Sequence, residues 1–373
     1  MSESSVAILP AGRASIADAL DREFLSPVVS RVRGAWEPQG PSFGREVRGL
    51  AAALSGYGLG PGSAAAVLGE EGAGTLRAGL AVLAAGATLV PLDPRLSNSA
   101  MRRALSSTAV VQAIASDEAQ LARILELRPD LPALELVLLS SAEPSERKPA
   151  ALMVGTAIEV GATNLVEDPG LLNRALSQSE GGRACLLVEA SGETRAISRA
   201  TLFGLSDLLS TKLFAASGAK VLIALPMGGV ERLSAAFAAL GRGATVLLPD
   251  VAERLDAGLD QWPADVVLLD RTGLERLHRS WLEDIDAMSW LGRKATTWAV
   301  RQGSEGPERG WKHRVAESVA LRRLRGKLGG SSTTLEVFGA PNAERTSEAE
   351  AFFSAVGLSV RFREGVSPGP LAR

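Results

Sequence analysis

Short apolar runs alternate with helix-period segments along most of this 373-residue chain, and that alternation limits the fold more than any single motif. In the first block, the apolar runs predict strands and the 3.6-residue periodicities predict helices. The strands are predicted at 64–68, 87–90, 110–115 and 134–139. The helices are predicted at 75–85, 97–106 (with a serine cap) and 117–127. Strands that alternate with helices indicate parallel sheets covered on both faces.

A second alternating block begins at residue 184. Its strands are predicted at 184–188, 220–225, 244–248, 266–269, 334–338 and 358–362. Its helices are predicted at 201–216, 231–240, within 272–328 and at 347–356. We therefore expect an α/β fold of two stacked, doubly wound subdomains at 42–183 and 184–373. An N-terminal helix at 15–32 and a connector should precede them, within 1–41. We expect 140–149 to form a surface loop and 152–179 a less regular bridge.

Composition excludes several classes of function. Charged residues make up 22% of the chain and the net charge is −2, so no nucleic-acid partner is expected. The single cysteine, Cys185, has apolar neighbours and is predicted to be a buried structural thiol in a reducing compartment. No targeting signal or spanning run is evident, and the expected location is the cytoplasm.

One loop carries a possible nucleotide signal. The apolar run 185–188 leads into the turn Ser191-Gly192-Glu193-Thr194, and a helical pattern begins near residue 198. Many phosphate sites use this order of strand, loop and helix. Two interpretations stay open: an ordinary polar turn, and a damaged phosphate-binding loop.

Several segments in the same order resemble the AMP-forming adenylating superfamily and, within it, the long-chain acyl-CoA synthetases. They include Gly58-Leu59-Gly60-Pro61-Gly62-Ser63, Val90-Pro91-Leu92-Asp93-Pro94, Leu225-Pro226-Met227 and Gly339-Ala340-Pro341. The resemblance covers most of 42–368. It implies the front part of a synthetase N-terminal domain, without the mobile C-terminal lid domain.

The resemblance also shows what is missing. The family's phosphate loop reads Thr-Ser-Gly-Thr-Thr-Gly, any residue, then Pro-Lys-Gly. Here Ser191, Gly192 and Thr194 match it, Glu193 replaces a threonine, and the segment around Arg195 is shortened without the lysine. The family's magnesium-binding glutamate has only Glu364 nearby, out of register.

By resemblance, Gly339, Ala340 and Pro341 correspond to a segment that lines the adenine pocket; from the residues alone they form a turn after a strand. The vestigial nucleotide site would comprise Ser191, Gly192, Thr194, Arg195 and these three residues. We expect no catalytic residue and no cofactor.

The resemblance thus implies a degenerate protein that works through a protein partner, for example an intact synthetase. The alternative is residual AMP-dependent acyl activation, which would need ATP and Mg²⁺, Arg195 in place of the lysine, and Glu364 at the metal. A third possibility is that the basic run from Trp311 to Lys327 contacts a membrane surface, although a solvated helix face is favoured because basic helices are common on soluble proteins. His278 and His313 lack a ligand set and are predicted to be surface residues, not metal ligands.

Overall fold

The computed structural model describes most of the chain outside its two ends. The described residues are 28–32, 35–38, 43–69, 72–140, 151–179, 182–189, 191–213, 218–226, 230–249, 255–257, 259, 262–304, 321–328, 333–339 and 344–363. They form two seven-stranded sheets.

The first sheet contains β3 to β9 in the order β7-β6-β5-β3-β4-β8-β9. Its strands are β3 (Ala64–Leu68), β4 (Thr88–Leu92), β5 (Gln112–Ala115), β6 (Leu136–Leu139), β7 (Leu152–Met153), β8 (Arg183–Val188) and β9 (Thr194–Ser198). All neighbouring strands are parallel except β8 and β9, which are antiparallel. All five residues of β3 are buried, because helices cover both faces of the sheet.

The second sheet has the order β14-β13-β12-β10-β11-β1-β2. Its strands are β1 (Val28–Val32), β2 (Ala35–Pro38), β10 (Lys220–Ala224), β11 (Thr245–Leu248), β12 (Val266–Asp270), β13 (Thr334–Phe338) and β14 (Ser359–Arg363). Here too a single antiparallel pair, β1 with β2, ends an otherwise parallel sheet.

Twelve helices are described between these strands. They are α1 (Phe43–Gly56), α2 (Ala73–Ala84), α3 (Asn98–Ser107), α4 (Glu118–Leu127), α5 (Val154–Glu167), α6 (Leu171–Ser179), α7 (Arg199–Leu213), α8 (Val230–Gly241), α9 (Arg271–Asp286), α10 (Trp290–Ser304), α11 (Arg322–Gly326) and α12 (Glu344–Val356). Polar caps begin several of them: Ser97 accepts from the Ala100 amide, and Asp117 accepts from the Gln120 amide.

The helices and sheets form layers around three main apolar clusters. The largest cluster joins α1, α2, α7 and α8 to the inner faces of both sheets. A second lies between the first sheet and α3 and α4, and a third lies between the second sheet and α9 and α12. The predicted pair of stacked α/β layers is therefore confirmed.

Four sequence predictions need correction or fall outside the described residues. Residues 28–32, expected to end a helix, form β1, which pairs with both β2 and β11. The stretch 152–179, expected to be irregular, contains α5 and α6. Strand β8, expected to begin the second block, completes the first sheet beside β4. The loop predicted at 140–149 lies, except for Ser140, outside the described residues.

Candidate functional site

The turn that resembles a phosphate loop is the tip of a β-hairpin. Strands β8 and β9 pair antiparallel, with Val188 opposite Thr194, and the turn lies between them. The Glu189 amide donates to the Glu193 carbonyl oxygen at 2.9 Å, and the Gly192 amide donates to the Glu189 carbonyl oxygen at 2.9 Å. The Glu193 amide donates to Ser191 Oγ at 3.2 Å. These three amides bind within the turn, so they are not available to a phosphate group.

Gly192 is explained by packing. Its φ of +84° favours glycine. A Cβ atom there would lie 2.5 Å from the Ala100 carbonyl oxygen of α3. From the same helix, Arg103 Nη1 donates to the Ser191 carbonyl oxygen at 3.1 Å. The turn is thus held closely against the first turns of α3.

The side chain of Thr194, which matches the family's loop, and that of Arg195, which the alternative needs in place of the lysine, point in different directions. Thr194 and Arg195 are consecutive residues of β9, and consecutive side chains of a strand project from opposite faces of its sheet. Ile197, on the face shared with Arg195, packs in the central cluster. Ala196, on the face shared with Thr194, packs against the cluster under α3 and α4. The strand therefore does not present Thr194 and Arg195 to the same phosphate group.

The charge of the turn also opposes an anion. Glu193 is exposed and directly follows Gly192. A carboxylate at contact distance from a phosphate oxygen is repulsive by about 1 kcal/mol in water and by more where water is excluded. With the amides already bound, the residues of this turn do not fit a triphosphate.

Gly339 lies at a different sheet edge, just after β13. Its φ is +119°, and its amide donates to the Arg363 carbonyl oxygen at 2.8 Å. A Cβ atom added to Gly339 would lie 3.1 Å from Arg271 Cδ. The backbone turns closely around the Arg271 side chain at this point.

An open cleft of about 390 Å³ lies beside this turn. It is lined by Asp270, Arg271, Thr272, Glu275 and Phe338, at the carboxyl ends of β12 and β13. Asp270 Oδ1 accepts from the Gly273 amide and caps α9, and Glu275 Oε1 accepts from Thr346 Oγ1 at 2.9 Å. Arg271 Nε is buried without a hydrogen-bond partner. Carboxyl ends of parallel strands are where open α/β sheets usually bind ligands.

The structure brings together some of the predicted site residues and separates others. Ser191, Gly192 and Thr194 share the hairpin tip with Arg195, whereas Gly339 follows β13 of the other sheet. No described contact joins the two positions. Ala340, Pro341 and Glu364 lie outside the described residues. In the part of the chain that the structure describes, no cluster of three metal-binding side chains occurs.

Sequence reasoning missed two features of this region. Strand β9 was expected to be loop or early helix; in the structure its Ile197 is buried, Arg195 is exposed and the other three residues are intermediate. The cleft residues Asp270, Arg271 and Glu275 were also missed. Their signal was a polar cluster directly after an apolar strand, which is common at sheet edges.

Buried titratable groups elsewhere have structural roles. Cys185 is fully buried, as predicted, and burial, with help from Glu231, raises its pKa to about 12. Arg199 is buried and donates to the Leu83 and Ala87 carbonyl oxygens, and burial lowers its pKa to about 10. His278 was expected at the surface but is half-buried against Phe352, with ring centroids 4.8 Å apart. His313 lies outside the described residues.

Comparison with known proteins agrees with this architecture. Residues 42–164 match the family model described as AMP-binding enzyme. The structure superposes on the adenylation domain of the carboxylate reductase from Mycobacterium chelonae with a TM-score of 0.64 and 15% sequence identity, covering 94% of this chain and 57% of that one. No functionally curated protein matches the sequence.

Two ligases give similar results. A long-chain-fatty-acid-CoA ligase from Archaeoglobus fulgidus superposes with a TM-score of 0.66 and 11% identity, over 95% of this chain and 64% of that one. Acetoacetyl-CoA synthetase from Streptomyces lividans gives 0.64 and 14%, over 94% and 51%. The chain has the fold of the AMP-forming adenylating enzymes. The fold implied by the sequence resemblance is thereby confirmed.

The chain matches only part of each of these adenylating-enzyme structures. The chain spans about three fifths of the length of the solved structures first matched. At 11–15% identity the likeness concerns the fold, not a shared substrate. The function of this chain therefore depends on the chemistry of its own residues.

Proposed function

We propose that this chain is a degenerate AMP-binding protein of the acyl-CoA synthetase type, which acts by binding another protein and does not complete acyl activation. The observation that carries the proposal is the closed hairpin tip. Its amides of Glu189, Gly192 and Glu193 bind within the turn, and Gly192 lies against Ala100. A triphosphate site needs those amides directed at the anion.

The missing lysine supports the same conclusion. In phosphoryl and nucleotidyl transfer, the protein contributes mainly by positioning and by neutralising the charge of the phosphates. Here Arg195 lies on β9 in an exposed position, on the sheet face opposite to Thr194. One exposed guanidinium outside the turn does not replace the missing lysine.

A protein partner follows from what the chain retains. It keeps two complete sheets, their covering helices and a large folded surface. A scaffold that has lost its site can still bind through its surface. We infer an intact adenylating enzyme as the partner, because such an enzyme carries the same fold. A copurification of the two chains, checked by light scattering for a defined stoichiometry, tests this inference.

The nucleotide question has a direct experiment. Calorimetric titration with ATP and Mg²⁺, and then with a non-hydrolysable acyl-adenylate analogue, should give no heat of binding with the folded protein. Circular dichroism on the same sample establishes that the protein is folded. Micromolar binding of either compound would overturn the proposal.

Residual acyl activation is the alternative, favoured by one observation. The cleft beside Gly339 lies at the carboxyl ends of β12 and β13 and contains Arg271, whose buried Nε has no hydrogen-bond partner. If a fatty acid and ATP react here, hydroxylamine should trap an acyl-adenylate. Arg271→Ala should then abolish the product, whereas Arg183→Ala, at an exposed position of β8 in the other sheet, should not. No product from the intact chain would exclude this alternative.

A further inference from the structure

Helix α10 presents an unusual surface on the outside of the second sheet's helical layer. Trp290 is 59% exposed, Leu291 is 70% exposed and Trp298 is 38% exposed. Large apolar side chains at such exposure usually occur singly. Here three of them belong to two turns of one helix.

Helical geometry places these side chains together. At about 100° per residue, Trp290, Leu291, Lys294, Trp298 and Arg301 fall within one arc of roughly 100°. Thr296 and Ala299, on the other side of the helix, are buried. The helix therefore packs on the protein through a narrow stripe of small residues and turns its largest apolar side chains outward.

Cations are interleaved with the aromatic rings on that outer arc. Lys294 Nζ lies 4.3 Å from the centroid of the Trp290 ring. Residues 290–304 contain Arg293, Lys294 and Arg301 but no aspartate or glutamate. Of the acidic residues that end α9, Asp284 forms an ion pair with Lys327. The exposed face of α10 is thus both apolar and positively charged.

We propose that this face of α10 binds peripherally to an anionic lipid surface. Tryptophan rings are stable at the boundary between headgroups and acyl chains, and lysine and arginine stems extend from that depth to lipid phosphates. A positive helix face also gains about 1 kcal/mol per cation near an anionic leaflet. Among the described residues, no helix is long and apolar enough to cross a bilayer, so the contact is interfacial.

Shape favours lipid over a protein partner. The outer arc of α10 is the exposed side of a single helix. Tryptophans that anchor protein interfaces usually fill pockets on the partner and are surrounded by a polar rim. A bilayer needs no complementary pocket, because its headgroups adapt to an inserted ring.

This surface differs from the basic run Trp311 to Lys327, for which the sequence left membrane contact as a third possibility. In the described part of that run, Arg325 Nη1 donates to the Val356 carbonyl oxygen at 3.3 Å, and Lys327 pairs with Asp284. These two cations are held within the protein. Arg322 and Arg323 are exposed, and residues 305–320 lie outside the described residues.

Vesicle cosedimentation tests the proposal with the full chain. Phosphatidylcholine vesicles containing phosphatidylserine should bind the protein, and binding should weaken as salt increases. Trp290→Ser combined with Leu291→Ser should reduce binding by about tenfold or more, because two exposed apolar anchors are lost. Lys294→Glu should reduce it by about tenfold through charge reversal. Val166→Ser, at an 82% exposed position on α5, is the matched control and should bind normally.

Any one of the following results would overturn the proposal. One is that the folded, intact chain does not bind these vesicles. Another is equal binding to pure phosphatidylcholine, which would remove the role of charge. The third is normal binding by the Trp290→Ser, Leu291→Ser variant, or loss of binding only with Trp311→Ser. If light scattering shows that the intact chain self-associates through Trp290, the surface belongs to a second copy instead. None of these readouts depends on nucleotide binding.

Discussion

Arg363→Ala should destabilise the outer edge of the second sheet through a buried carboxylate. Glu336, in β13, has a side chain only 2% exposed. Arg363 of the edge strand β14 donates to it twice, from Nε at 2.6 Å and from Nη2 at 3.2 Å. Arg361 approaches the same carboxylate at 3.7 Å but is 57% exposed. The Arg363 guanidinium therefore provides almost all of the close pairing with the Glu336 carboxylate.

The expected cost follows from this geometry. Removing one partner of a buried ion pair costs about 3–5 kcal/mol, because the remaining charge is left without compensation. Arg361 stays within reach in the variant, so we expect about 3 kcal/mol, the lower end of that range. Arg361→Ala should cost less than about 1 kcal/mol, as exposed pairs usually do. In a Glu336→Gln background, Arg363→Ala should cost about 1 kcal/mol, because no charge is left buried.

Urea unfolding followed by circular dichroism gives these differences, since the change in midpoint at constant slope reports the change in free energy. Hydrogen exchange at the amides of β14 adds a local readout, because an edge strand can open before the whole sheet unfolds. Equal losses from Arg363→Ala and Arg361→Ala would refute the reasoning. So would an unchanged cost of Arg363→Ala in the Glu336→Gln background.

Three further predictions concern packing and titration. Gly161→Ala should destabilise the protein by about 3 kcal/mol or more in urea unfolding, because a Cβ atom there would lie 1.7 Å from the Gly49 carbonyl oxygen. Gly155→Ala is the control: this position has open space around it, so the substitution should be neutral or slightly stabilising. Cys185 should not react with Ellman's reagent in the native protein at mildly alkaline pH, because burial raises its pKa to about 12. It should react fully after unfolding. Rapid labelling of the native protein would contradict this prediction. Burial lowers the pKa of His278 below its ordinary 6.5, so the unfolded chain takes up its proton first and stability should fall as pH decreases below about 6.5. His278→Asn should flatten that part of the stability curve, and an unchanged slope would contradict the assignment.

Much of the fold could be predicted from local pattern. The parallel strands around β3 and β12 are short buried apolar runs, and the helices between them have clear periodicity and polar caps such as Ser97 and Asp117. These signals depend on residues close in sequence. Two α/β layers follow from them, and the structure confirms that prediction.

The candidate site was less predictable, because its decisive contacts are distant in sequence. Ser191, Gly192, Thr194 and Arg195 were located correctly as a group after an apolar strand. Their geometry depends on Ala100 and Arg103, which lie about 90 residues earlier. No local pattern relates the turn to that helix.

The sequence by itself determined the alternation of strands and helices, the absence of lysine from the turn at 191–195 and the burial of Cys185. Hydrophobic period and residue chemistry are properties of short stretches, so sequence is enough to read them. Tertiary structure alone decided that β8 and β9 complete the first sheet, that β1 joins the second, and that Arg363 neutralises Glu336. Those outcomes depend on which surfaces meet after the chain collapses, since strand pairing and buried charge pairing are fixed by long-range packing.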